Sequence, residues 1–249
     1  FLPSVALHAE LSDEALIYSR YQQGFRPGGL AIESDFVRRF RNDRTATWEI
    51  GARYGRAGSG ASASGAGSGD PFSLAVSLSH TDWRDIQADF VDDGGLPSTS
   101  NIGDGRIWSA SLSGAAEIAE GLRVELGGTW NHSRIEQPDF AFRTRTRQIP
   151  NIAEFAARAG VNYTAWIGGD WRLTADAWAS YVGPSRLGIG PELGESQGDY
   201  LDSGIDVRIG GDTMGLTLGV SNIADMRGNR FSLGTPFGDD RDQVTPPVS

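Results

Sequence analysis

Residues 171–183 read WRLTADAWASYVG. In an extended chain successive side chains point to opposite faces, so Trp171, Leu173, Ala175, Ala177, Ala179 and Tyr181 share one side. Arg172, Thr174, Asp176, Trp178 and Ser180 share the other. The first face has an aromatic at each end and small apolar residues between. Trp171 and Tyr181 are ten steps apart, which at about 3.3 Å each and a tilt near 40° is a rise of roughly 25 Å. That is the height of the apolar band of a transmembrane β-barrel, whose rims carry Trp and Tyr because these rings prefer the boundary between acyl chains and water. The polar face then looks into a lumen, and lateral pairing of strands satisfies backbone groups that lipid cannot.

Period two governs nearly the whole chain. TATWEIGARYG (45–55) sets Ala46, Trp48, Ile50, Ala52 and Tyr54 against Thr47, Glu49, Gly51 and Arg53. FSLAVSLSHTDW (72–83), LRVELGGTWN (122–131), FAARAGVNYTAWI (155–167), LDSGIDVRIGG (201–211) and MGLTLGVSN (214–222) repeat the pattern. Tight turns are expected at 12–14, 120–122, 167–170 and 210–213, and long polar loops over about 25–44, 93–104, 135–150 and 184–199. This alternation gathers the long loops at one end. One long connection falls where a tight turn is due: RAGSGASASGAGSGDP (56–71) reads as a flexible Gly/Ser-rich insertion. The competing fold is a soluble β-sandwich or solenoid. Strand length, aromatics at strand ends and the segregation of loop lengths favour the barrel.

Composition narrows the function. The chain has 249 residues, no Cys and a formal charge of −10, with all 22 basic residues Arg. A nucleic-acid partner is disfavoured, since that affinity needs a basic face, and neither a disulfide scaffold nor a Cys-ligated metal is available. No apolar run reaches the roughly 18 residues of a membrane helix. The start, FLPSVALHAELSDEALIY, already reads as strand, turn and strand, so the chain is expected to be a fragment or processed product.

Several short stretches resemble TonB-dependent outer-membrane receptors. ALIYSRYQQGFRPGGL is similar to the family's Tyr-rich strand running into Gly-(Phe/Tyr)-(Arg/Lys)-x-Gly-Gly, here Tyr18, Tyr21, Gly24, Phe25, Arg26, Gly28 and Gly29. WEIGARY resembles the Tyr-Glu-x-Gly strand through Trp48, Glu49 and Gly51, and NIGDG (101–105), RQIPN (147–151) and LGVSNIAD (218–225) resemble later motifs in the family's order. Two departures stand out: Ala116 sits where Glu is common, and the chain ends at DQVTPPVS without the final Pro-Arg-Thr strand.

The resemblance implies a 22-stranded barrel around an N-terminal plug. This chain would be an all-β, antiparallel, up-and-down partial barrel of about ten strands, covering residues 1–249 and lacking plug and last strand. An open curved sheet is therefore expected, with a closed ten-stranded barrel as the alternative. The implied activity is uptake of a scarce ligand, a ferric siderophore above all, in the outer membrane of a Gram-negative bacterium, driven by the TonB complex through the plug. Membrane lipid and lipopolysaccharide are the other implied partners. Ligand contacts are expected from Arg26, Arg38, Arg39, Arg143, Arg145 and Arg147, whose guanidinium forks suit an anionic chelate, although pairing with nearby acids or lipopolysaccharide phosphates is the competing role. Arg41 belongs to the same basic stretch. Glu49, Arg53, Arg123, Glu125, Arg158, Asp176, Asp206 and Arg208 are expected to face the plug.

Enzymatic signals are poor, and no cofactor or metal is implied. His8, His80 and His132 lack zinc-ligand spacing. GIGPELG (188–194) misses the dinucleotide fingerprint by one place, and the acidic DFVDDGG and FGDDRD lack EF-hand spacing. Ser79, His80 and Asp82 form the one local cluster of hydrolase types, too close along a strand to converge. A passive porin or a barrel hydrolase remains the alternative reading.

Overall fold

The computed structural model describes residues 2–32, 36–55, 71–92, 94–139, 147–190, 194 and 196–226. Most of the 56–71 insertion lies outside them. Strands follow one another in the order β1 (Ser4–Glu10), β2 (Ala15–Arg26), β3 (Gly29–Ile32), β4 (Val37–Phe40), β5 (Asp43–Tyr54), β6 (Phe72–Arg84), β7 (Gln87–Val91), β8 (Pro97–Asn101), β9 (Gly103–Ala119), β10 (Leu122–Pro138), β11 (Phe155–Gly168), β12 (Trp171–Val182), β13 (Ser185–Arg186), β14 (Ser196–Gln197), β15 (Tyr200–Gly210) and β16 (Gly215–Ser221). Ten of them form one sheet ordered β1-β2-β5-β6-β9-β10-β11-β12-β15-β16, with every neighbouring pair antiparallel. The other six form small hairpins, β3-β4, β7-β8 and β13-β14. Among the described residues the edge strands β1 and β16 do not pair with each other, so the sheet is open and does not close as a ten-stranded barrel.

Pairing register fixes the two faces. One row runs Tyr21, Trp48, His80, Trp108, His132. Four residues down β5, another runs Ala52, Val76, Leu112, Gly128, Ala157, Tyr181. Upper-rim aromatics thus slide along the register from Trp48 to Tyr181 as the sheet is crossed, which a ring of constant height requires of tilted strands. They touch pairwise: Tyr21 and Trp48 have ring centres 4.5 Å apart, His80 and Trp108 4.2 Å, Phe155 and Tyr181 6.3 Å. At the other rim Tyr54 meets Phe72 at 5.9 Å.

Between the rims the apolar face is bare. Ile50 is 57% exposed, Leu126 61% and Leu218 67%, and among the described residues no second layer packs on them. In water so large a greasy surface is untenable. In a bilayer it is the ordinary solvent-facing surface.

The long connections correct the expectation of polar loops. Buried apolar residues gather there: Ile86, Ala88, Phe90, Ile102, Ile149 and Ile189, with Ile135 at the top of β10, form one cluster. Each of the last three long connections contributes to it, because each end of the sheet brings its loops side by side. Backbone bonds close the unit, with the Ile102 amide donating to Ile86 O at 2.8 Å, Ile135 N to Arg147 O at 2.7 Å and Ile189 N to Asp89 O at 3.1 Å. Hydrophobic burial therefore organises the loop end, while the wall buries little of its own.

Close approach explains one motif. The Tyr18 ring lies over Gly51, where an added Cβ would come within 2.5 Å of it, and its hydroxyl donates to Glu49 Oε1 at 2.8 Å. In Trp48-Glu49-Ile50-Gly51 the carboxylate receives the tyrosine and the glycine makes room for it. Gly51→Ala is expected to push Tyr18 off Glu49 and cost about 1–3 kcal/mol of overpacking, read as a lowered urea midpoint. An unchanged midpoint would show that the ring has free space to move.

Candidate functional site

A polar clasp joins the first two long connections. Asp43, at the start of β5, is buried, with its side chain 2% exposed. Its carboxylate accepts the Arg26 backbone N–H at 3.0 Å and Arg26 Nε at 2.7 Å. Arg26 also donates to the Gln87 carbonyl at 3.0 Å and lies 5.4 Å above the Trp83 ring. Gln87 in turn donates to the carbonyls of Pro27 and Arg41, at 3.0 and 2.9 Å. The Asn101 side chain accepts the Arg41 backbone N–H at Oδ1 and donates through Nδ2 to the carbonyls of Arg41 and Asp85, and Arg41 pairs with Asp85 at 2.6 Å. Just beyond, Gly103 takes φ +126°, with its absent Cβ facing Gln137 O.

The clasp gives Arg26 partners within the chain. Sequence alone offered its guanidinium to a ligand, whereas the structure commits it to Asp43, Gln87 and Trp83. Arg38 and Arg39 lie on β4; Arg38 is half-buried 5.5 Å from the Phe36 ring and Arg39 is exposed opposite Leu30. Arg147 is exposed at the loop end. Arg143 and Arg145 lie outside the described residues, so the structure does not bring this basic set together.

The eight polar wall residues do share one face. Glu49 receives Arg20 Nη2 at 2.8 Å as well as Tyr18. Arg123 donates to Glu125 at 3.3 Å, and Asn162 Nδ2 to Asp176 Oδ1 at 2.5 Å. Asp176 stands opposite Asp206, Arg158 opposite Gly127 and Ser180, Arg208 opposite Thr174, and Arg53 near the short-turn end opposite Leu16. This wall is hydrogen-bonded and partly charged, suited to a polar filling. Register puts Ala116 on the apolar face, opposite Phe72 and Val124, while Glu117 on the polar face stands opposite Arg123. The departure at Ala116 therefore falls on the apolar face and not on the polar one.

Comparison with known families then fixes the relationship. A family model described as TonB dependent receptor-like, beta-barrel, matches residues 1–223. The chain belongs to the TonB-dependent receptors. No protein matches it in a comparison with curated sequences. Solved structures with a similar fold include the ferric yersiniabactin uptake receptor FyuA from Yersinia pestis, 19% identical with a TM-score of 0.69 over 90% of this chain and 32% of that one. BauA, the ferric preacinetobactin receptor from Acinetobacter baumannii, is 17% identical with a TM-score of 0.63 over 94% and 34%. The copper transporter OprC is 17% identical with a TM-score of 0.66 over 97% and 37%. The chain spans about a third of the length of these proteins.

The motifs shared with TonB-dependent receptors hold this chain's loop end in place. Asn151, at φ +60°, donates through Nδ2 to Leu187 O at 3.0 Å and receives Gln197 Nε2 at 2.9 Å. Asn222 receives the Met226 amide at 3.0 Å. Ser79, His80 and Asp82 do not assemble a hydrolase centre: register sends Ser79 to the polar face and His80 and Asp82 to the apolar one. Sequence reading missed the clasp partners Asp43, Gln87 and Asp85, and met Asn101 only as part of a motif. It also missed four outward arginines, Arg44, Arg84, Arg106 and Arg134; for two of them, Arg106 in RIW and Arg134 in HSR, the signal was present as an Arg two places from a rim Trp or His.

Proposed function

We propose that this chain forms wall and mouth of an outer-membrane receptor that takes up a ferric siderophore with energy delivered by the TonB complex. Family membership supports the class, and the clasped, apolar-cored loop end supplies a preformed mouth above a polar wall. Glu49, Arg53, Arg123, Glu125, Arg158, Asp176, Asp206 and Arg208 contact a plug in this reading, and TonB acts through that plug. Of the arginines expected to bind ligand, Arg39 and Arg147 are exposed at the loop end and meet an anionic chelate in this reading; Arg143 and Arg145 join them by sequence. The work done is binding and gating, so no bond in the ligand breaks.

The test is radioiron uptake in a strain deleted for the gene and complemented with it. Energised uptake of one ferric siderophore is expected to vanish on deletion, return on complementation and stop when TonB is absent. Uptake that persists without TonB indicates a passive pore and overturns the proposal, and restoration of copper rather than iron transport overturns the ligand class.

A further inference from the structure

We infer that the ligand carries an aliphatic chain beside its chelating head, and that the exposed face of the β3-β4 hairpin receives that chain. The inference rests on the ferric-siderophore reading and deepens it. Pairing sets Leu30 opposite Arg39 and Ile32 opposite Val37, and strand alternation puts these four side chains on one face. Leu30 is 70% exposed, Ile32 71% and Val37 60%, and Arg39 is exposed beside them. The hairpin is held from behind. Its other face buries Ala31, both strands touch β8, and the Asn101 side chain at the end of β8 bonds both backbone groups of Arg41, just past β4. The aliphatic face is therefore set before any ligand arrives, which spares the ordering cost of assembling it.

Two features point to an amphiphile. Elsewhere in the long connections isolated aliphatic residues are withdrawn into one cluster, as Ile86, Ile102, Ile149 and Ile189 are, yet these three stay out together. Gathered on one small face they form a patch, not the usual scatter of single exposed residues. Their branched side chains have no ring to stack on an aryl group, and they suit a flexible alkyl chain. The second feature is charge. Arg39 faces Leu30 across the hairpin and has no ion-pair partner among the described residues, so its guanidinium fork is open to the carboxylates or hydroxamates of an anionic chelate. Residues on one face of a strand lie roughly 7 Å apart and paired strands about 5 Å, so the face engages head and chain side by side, with room for about six methylenes.

Radioiron uptake in the deleted and complemented strain provides the test, with a panel of ferric siderophores in which each head group is present with and without acyl chains of graded length. At limiting concentration the acylated members of the accepted head group are expected to be favoured about twofold per methylene, half the effect of full burial on a logarithmic scale, levelling off at about six carbons. The triple variant Leu30→Ser/Ile32→Ser/Val37→Ser should lose this preference and still take up the unacylated member, which also shows that it folds. Val37→Thr, of the same shape, should lose part of it, and Arg39→Gln should lower uptake of both members alike. Equal uptake with and without the chain overturns the inference, as does a preference that survives in the triple variant. So does a Leu30→Cys variant, in a chain with no other cysteine, that impermeant maleimide fails to label on intact cells before siderophore is added, since another part of the receptor or a second copy then covers the face. Uptake of unacylated members alone sinks the chain and leaves the ferric-siderophore reading standing, whereas uptake of no member sinks both.

Discussion

Truncation of Arg26 to Ala is expected to cost the folded state about 3–5 kcal/mol, because it strands the Asp43 carboxylate, 2% exposed, with one backbone N–H as partner. The reverse change is milder. In Asp43→Ala the guanidinium of Arg26, 52% exposed, is rehydrated and keeps Gln87 O and the Trp83 face. The double variant should match Asp43→Ala closely, a non-additivity that identifies a coupled pair. Urea unfolding of the receptor in vesicles measures all three, and limited proteolysis shows whether the loops over 25–44 and 84–103 loosen first. Equal costs for the two single variants would mean that the clasp does not hold a buried charge.

Leu126→Arg carries the second large effect. Leu126 is 61% exposed, and on a water-facing surface such a change would fall within about 0.5 kcal/mol. Here it lies midway between the rims, in the row of Leu74, Gly114 and Ala159, where an arginine at bilayer mid-depth costs about 2–4 kcal/mol. Its neighbour Glu125, on the polar face, serves as control: Glu125→Gln should alter stability by a few tenths of a kcal/mol, losing the exposed Arg123 contact. Refolding into vesicles at graded urea reads the difference. If Leu126→Arg proved as harmless as the control, the apolar face would not meet acyl chains.

The wall was legible because its rule is local. Alternation in 171–183 assigns every side chain to a face once the strand is granted, and pairing only had to align rows that the sequence already contained, such as Trp48 beside His80. The short turns were equally plain. The loop end was not, because Ile86, Ile102, Ile149 and Ile189 are isolated apolar residues in polar stretches and acquire meaning only when separate connections meet. The clasp role of Arg26 was hidden for the same reason. Its partner Asp43 is seventeen positions away, and nothing in either segment shows that one is buried. Motif resemblance identified the positions that matter around Glu49, Gly51 and Asn101 without showing that their work is structural.

The bare apolar wall has a consequence for how such sequences change over time. Interlocking cores restrict each residue to a shape its neighbours accept, but Ile50, Leu112 and Leu126 are exposed, and in the membrane reading each answers only to a fluid that conforms to any greasy outline. Drift among aliphatic residues there goes unopposed, so an architecture can outlast nearly all of its original letters, as 17–19% identity at TM-scores of 0.63–0.69 exemplifies.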